Sequence, residues 1–200
     1  MSELEKLAAE VSSCTRCLLH KARTKAVPGE GAEDAEIMFI GEAPGFHEDQ
    51  QGRPFVGAAG QFLDELLARI GYARESVYIA NVIKCRPPGN RDPLPEEMEA
   101  CKSFLDRQIV LIQPKIIVTL GRFSMARVFP NARISVIHGQ AHKVDGIIYY
   151  PMYHPAAALH QPSLRRVLEE DVERIPDLLK GVVQLSETHA EPEAQQLTLF

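Results

Sequence analysis

Residues 36–70 read EIMFIGEAPGFHEDQQGRPFVGAAGQFLDELLARI. The stretch opens on a compact apolar run, Glu36 to Ile40, that stops at Gly41. It closes from Ala58 to Ile70 with Phe62, Leu66, Leu67 and Ile70 at helical spacing, and Gly71 is a stop signal. Strand, glycine-rich turn and amphipathic helix in that order form the repeating unit of a parallel sheet covered by helices. The unit recurs. Val77 to Val82 reads as a second strand, and Pro95 to Ile112 as a helix with proline near its start and acids in its first turn. Lys115 to Leu120 is a third strand, followed by Gly121 and a short helix to about Phe129. Short β-like pieces are predicted near Ile134–Ile137 and Ile147–Tyr150, and helical patterns run from Ser163 to Leu179. At the N-terminus, Ser2 with Glu5 makes a capping box for a helix through about Val11. The predicted class is α/β with helices on both faces of a mostly parallel sheet. Such folds place their site at the carboxyl ends of the strands. Here those ends are Gly41–Gly45, Asn81–Arg91, Leu120–Arg122 and Met152–Leu159.

The chain has 200 residues, 45% hydrophobic and 24% charged, which suits one soluble domain with or without a tail. No apolar run approaches the ~20 residues that span a bilayer. The start, MSELEKLAAEV, has no basic and apolar signal-peptide regions. A cytoplasmic location is therefore expected, where four cysteines do not form structural disulfides. The net charge of −5 argues weakly against a nucleic-acid partner. That charge is unevenly spread. The segment from Gly181 to Phe200 holds Glu187, Glu191 and Glu193 and no Lys or Arg, so the remaining body carries 22 basic and 24 acidic side chains. Ser186–Gln196 reads as a disordered linker, and residues 1–182 and 183–200 as body and tail.

Cys14 and Cys17 are spaced C-x2-C, Cys85 follows after 67 intervening residues, and Cys101 after 15 more. Four thiolates suit tetrahedral zinc or an iron–sulfur cluster, and spacing does not choose between them. A C-x2-C turn with two unrelated buried thiols has the same pattern. The glycine-rich loop lacks the P-loop and dinucleotide fingerprints. It carries Glu42, Glu48 and Asp49, with Phe55 as a surface for a flat ligand, although a solvated acidic loop reads the same way. His154 stands between the last strand and a helix opened by Pro155. His138 and His142 read as structural, and Asn81 ends the second strand, where asparagine is often a turn former. Lys84, Arg86, Arg91, Arg122, Arg127, Arg165 and Arg166 fall near these loops and would make a basic edge.

These pieces together resemble the family 4 uracil-DNA glycosylases, the iron–sulfur branch of that superfamily. The resemblance covers roughly Leu4 to Leu179 and rests on the four cysteines, GEAPG…EDQQGRPFVGAAGQFLD, NVIKCRPPGNRDP and His154-Pro-Ala-Ala. It implies a three-layer α/β/α sandwich around a central four-stranded parallel sheet, and a [4Fe-4S] cluster on Cys14, Cys17, Cys85 and Cys101. It implies that Phe55 stacks on uracil and that the Asn81 amide pairs with uracil O4 and N3–H. His154 would donate to O2, Glu42 would position the attacking water, Glu48 would crowd the 5-position against thymine, and Ala43 would line the substrate site. Leu159, or a misregistered Ala157 or Ala158, would wedge into the duplex. Lys84, Arg86 and Arg91 would contact phosphates. Where the family's His-Pro motif often continues with Ser, this chain has Ala156-Ala157-Ala158, which leaves that loop's phosphate contacts open. A covalently trapping relative carries a basic, His-containing insertion in the first loop. None stands between Gly52 and Gly57, so ordinary turnover by a monomer is expected.

The final residues, Gln196, Leu197, Thr198, Leu199 and Phe200, resemble the QLxLF peptide by which bacterial proteins bind the replication sliding clamp. Two rival readings are a non-catalytic member of the superfamily that binds DNA or senses redox state through its cluster, and a zinc-stabilised DNA-clamp adaptor.

Overall fold

The computed structural model describes residues 1–181 and 186–187. Its centre is four parallel strands: β2 (Ile37–Gly41), β3 (Tyr78–Asn81), β4 (Ile116–Leu120) and β6 (Ile147–Met152), ordered β3-β2-β4-β6. Their side chains alternate between two apolar cores, as a pleated strand requires. Ile37, Phe39, Ile79, Ile116 and Val118 face one side, where α3 (Ala58–Arg69), α8 (Ser163–Val172) and α9 (Ile175–Leu179) supply Phe62, Leu66, Leu67, Leu168, Val172 and Ile175. Met38, Ile40, Ala80 and Ile117 face the other, under α1 (Glu3–Ser12) and α4 (Pro95–Ile112). The expected three-layer sandwich is therefore present. All strand positions of β2, β3 and β4 are buried, which explains why they read as unbroken apolar runs rather than alternating ones.

The sheet is wider than the four strands expected. β1 (Glu30–Gly31) pairs antiparallel with β3, and β5 (His142–Val144) pairs antiparallel with β6. Ser186–Glu187, read from composition as linker, forms a two-residue strand β7 parallel to β5. The clamp-like peptide Gln196–Phe200 lies outside the described residues. One local expectation is corrected: Ile134–Ile137 is a short helix, α6, not a β piece. Its branched residues favour strands by intrinsic propensity, yet no sheet edge is paired with them. Helix α1 has the full capping box, with Ser2 accepting from the Glu5 N–H and Glu5 accepting from the Ser2 N–H. The remaining helices, α2 (Phe46–Gln51), α5 (Arg122–Ala126) and α7 (Pro155–His160), are short, and each begins in the loop after a parallel strand.

Candidate active site and four-cysteine centre

The carboxyl ends of the four parallel strands surround one cleft of about 370 Å³. Glu42, Ala43, Glu48, Phe55, Asn81, Arg91 and His154 all line it. The loops are fixed by backbone bonds that outlast the strands. The Val82 N–H donates to Gly41 O and the Ile83 N–H to Glu42 O, so Glu42 is held against the segment leaving β3.

Asn81 is 2% exposed, and its Oδ1 has no hydrogen-bond partner. An orphaned buried acceptor costs roughly 1–3 kcal/mol, so such an atom at a cleft is poised for a donor from a ligand. Gly41 is obligatory beside it: a Cβ there would stand 2.4 Å from Asn81 Oδ1 and 2.6 Å from the Phe55 ring. Phe55 is buried with φ at 50°, a left-handed conformation rare for an aromatic residue. Its ring lies 5.5 Å from that of His154 at an interplanar angle of 25°. Arg74 holds this strained turn, donating to Phe55 O at 3.0 Å and to Pro54 O while pairing with Glu30 at 2.7 Å and Asp64 at 2.9 Å. Sequence reasoning passed over Arg74, because nothing local marks an arginine whose partners are mostly distant in the chain.

His154 is the N-cap of α7, and its Nδ1 accepts the Ala156 N–H at 3.1 Å. In the neutral ring the proton is then on Nε2, available to a ligand. Burial keeps the ring neutral by lowering its pKa to about 4, partly opposed by the Glu48 carboxylate. Glu42 is pushed the other way. Burial raises its pKa, Asp92 raises it further, and Arg122 opposes. Glu48 Oε1 accepts the N–H groups of Val56 at 2.8 Å and Gly57 at 2.9 Å, so it clasps the Phe55 turn to the start of α3.

The basic edge is corrected at several positions. Lys84 is 1% exposed and bonds to Asn81 O and Gln108, so it cannot reach a phosphate. The apolar context of NVIKC puts this residue inside, a signal that its charge masked. Arg91 forms a two-pronged pair with Glu97, at 2.6 and 2.9 Å, while lining the cleft. Arg86 donates to Asn90 at 2.6 Å and covers the exposed Phe46 ring at 5.1 Å. Arg122, Arg127, Arg165 and Arg166 each pair with a carboxylate. Leu159 projects from α7 at 49% exposure, whereas Ala158 is buried in the core and cannot be the wedge. His138 is structural as expected, bonding Asp171 at 2.8 Å.

The four cysteines form no disulfides and line one small cavity with Val11, Ala100 and Phe104. Among the described residues, no three or more His, Cys, Asp or Glu are arranged to hold a single metal ion. The surroundings still fit a sulfur-ligated group. Arg23 donates to Cys85 Sγ at 3.1 Å, the Lys84 N–H to Cys101 Sγ at 3.3 Å, and the Arg16 N–H to Cys14 Sγ at 3.5 Å. Such N–H donors stabilise thiolate charge around metal-bound sulfur. Burial still pushes the Cys101 thiol up to about 11, with the Lys84 side chain and N–H opposing it.

Comparison with known proteins agrees with this geometry. The model of the uracil DNA glycosylase superfamily matches residues 28–178. A type-4 uracil-DNA glycosylase of Sulfurisphaera tokodaii is 52% identical over 188 residues, 89% of this chain and 86% of that protein. The chain is a type-4 member of the uracil-DNA glycosylase superfamily. A second type-4 relative, from Archaeoglobus fulgidus, is 48% identical and spans 89% of this chain and 94% of its own length. By contrast, a type-5 uracil-DNA glycosylase of Pyrobaculum aerophilum is 30% identical over 65% of each chain. Within the superfamily the match is thus stronger and longer to type 4. The matched region includes every cleft-lining residue named above and Cys85 and Cys101, while Cys14 and Cys17 precede it.

Proposed function

We infer that the chain is a uracil-DNA glycosylase, which hydrolyses the N-glycosidic bond of deoxyuridine in DNA and leaves an abasic site. The observation that carries this reading is the unpartnered Oδ1 of Asn81 at the cleft floor, an acceptor matched to uracil N3–H. In the orientation that gives Oδ1 this proton, cytosine offers none at N3, and its exocyclic amine reverses the pattern the amide reads at O4. A base stacked in a duplex cannot enter a cleft, so the nucleotide must be flipped, with Phe55 as the wall for its face. When the C1′–N1 bond breaks, its electron pair moves onto the uracil ring and negative charge develops at O2. The Nε2–H of His154 donates there from a neutral ring, which neither releases a proton early nor repels the cationic sugar. Water attacks C1′. The Glu42 carboxylate orients it and takes up its proton as the hydroxyl forms. Glu48, fixed by two backbone N–H groups, is a wall that cannot swing aside for a 5-methyl group, and this supports its assignment to thymine exclusion. Ala43 lines the same side, and exposed Leu159 fills the gap the base leaves.

The four thiols are assigned a [4Fe-4S] cluster as a structural group. An all-sulfur donor set around a cavity, with no convergence on one point, suits a multi-atom cluster better than one zinc ion. It would join Cys14 and Cys17 after α1 to Cys85 and to Cys101 on α4. Iron rather than zinc in the purified protein supports this, and zinc overturns it. The terminal Gln196, Leu197, Leu199 and Phe200 are assigned to a bacterial sliding clamp. Deleting them should abolish clamp binding while leaving cleavage of short oligonucleotides intact, and unchanged clamp affinity would refute the assignment. The enzyme itself acts as a monomer in the cytoplasm, at the nucleoid.

The deciding experiment is release of uracil from an oligonucleotide with one deoxyuridine, read as an alkali-induced strand break. Wild type should cleave, and Asn81→Ala and His154→Ala should each be slower by about 10²–10³ while keeping their iron. No break with wild type would leave the non-catalytic reading instead.

A further inference from the structure

Lys84 is a buried amine that neither the chemistry above nor a phosphate contact uses. It is 1% exposed, and enclosing an ammonium costs several kcal/mol unless its N–H groups are well partnered. Its Nζ donates to two neutral oxygens, Asn81 O at 2.9 Å and Gln108 Oε1 at 2.7 Å. Gln108 is 2% exposed on α4 and is itself anchored, since Nε2 donates to Pro28 O at 2.7 Å and to the Tyr78 hydroxyl at 3.0 Å. A continuous chain of buried hydrogen bonds thus runs from the peptide of Asn81 through Lys84 into the middle of α4. The Lys84 N–H also donates to Cys101 on the same helix.

Asn81 needs such an anchor. It is the last residue of β3, and its ladder partner is Gly41. Its side-chain oxygen is unpartnered, so nothing bonded to that oxygen holds the amide in register. The packing of Gly41 and Phe55 limits where the amide can go, but the direction in which it projects is set by its own peptide. That peptide's carbonyl is what Lys84 grips. Resting on the glycosylase reading above, we propose that Lys84 is a positioning residue for uracil recognition: by tying the Asn81 carbonyl to Gln108 on α4, it fixes the peptide from which the base-reading amide projects. A methionine would fill much of the same volume but leave the carbonyl ungripped. An arginine would overfill a pocket closed on all sides.

The test separates reading of the base from integrity of the fold. Lys84→Met is compared with wild type for inhibition by free uracil, for affinity to DNA carrying a tetrahydrofuran abasic analogue, and for iron content. Free uracil should inhibit Lys84→Met about tenfold more weakly, on the scale of one misplaced hydrogen bond, with abasic-DNA affinity and iron unchanged. In an Asn81→Ala background the same substitution should change uracil inhibition less than about twofold, because the two act through one contact. Inhibition at the wild-type level, a parallel fall in abasic-DNA affinity, or an undiminished effect in the Asn81→Ala background would each overturn the proposal. Should Lys84→Met fail to fold, Gln108→Met, which removes the anchor and keeps the lysine, is read by the same criteria with a smaller loss expected. A wild-type protein that neither binds nor releases uracil would instead refute the glycosylase reading.

Discussion

At the residue scale the cleft holds two titratable groups whose surroundings drive them in opposite directions. His154 is lowered to about 4, so its ring stays a neutral donor throughout the ordinary pH range. Glu42 is raised, first by burial and then by Asp92, and in the proposed mechanism it must be ionised to orient water. As pH falls, Glu42 therefore protonates first, and the acid limb of kcat/KM should lie above the ordinary glutamate value of 4.5. Asp92→Asn removes a like charge and frees Arg122 from its ion pair, and both effects stabilise the Glu42 carboxylate. The limb should then move to lower pH in a pH–rate profile, and a limb that stays put would take Glu42 out of the rate-determining titration. His154 also makes folding pH-dependent. Its folded pKa lies below the unfolded value near 6.5, so the unfolded chain binds the extra proton between the two, and the stability this group contributes is lost as pH falls from about 6.5 towards 4.

At the scale of elements, much was legible because the signals are local. The strand–glycine–helix unit at 36–70, the Ser2–Glu5 capping box and the 95–112 helix each depend on residues close in sequence, and the structure places all three within a residue or so of expectation. What was not legible depends on distant partners. Lys84 read as surface because lysine usually is, and only Gln108 and the Asn81 carbonyl make its burial tolerable. The arginines read as a free basic edge because their carboxylate partners lie elsewhere in the chain or a helical turn away. Glu48 read as a specificity group, and the backbone clasp it provides appears only once the Phe55 turn is folded. That turn yields a stability prediction. Arg74→Met removes a guanidinium that binds two turn carbonyls and two carboxylates. The loss should be about 2 kcal/mol, the scale of hydrogen bonds to a charged group. For a chain of this size that lowers Tm by roughly 4–8 °C. Arg74→Lys should recover little of it, because an ammonium lacks the fork that reaches several acceptors at once. Calorimetry of the three proteins decides, and an unchanged Tm in Arg74→Met would show that the turn holds itself.

At the scale of the whole molecule, two sites share one scaffold. The four parallel strands bring Glu42, Asn81 and His154 to one end of the sheet, and the segment leaving β3 continues from Asn81 to Lys84 and Cys85. Asn81 and the four-cysteine cavity are thus neighbours along the chain, joined through α4. The net charge of −5 does not preclude DNA, since a flipped base is read by shape and hydrogen bonds rather than by overall charge. On the function proposed above, the orphaned Asn81 oxygen reads the N3–H of a flipped uracil. This central claim is tested most directly by comparing release of uracil and of 3-methyluracil from otherwise identical oligonucleotides, by wild type and by Asn81→Ala. Wild type should release uracil at least about 10²-fold faster, because the methylated base has no proton for Oδ1, and Asn81→Ala should release both slowly and at similar rates. Equal release of the two bases by wild type would contradict the account.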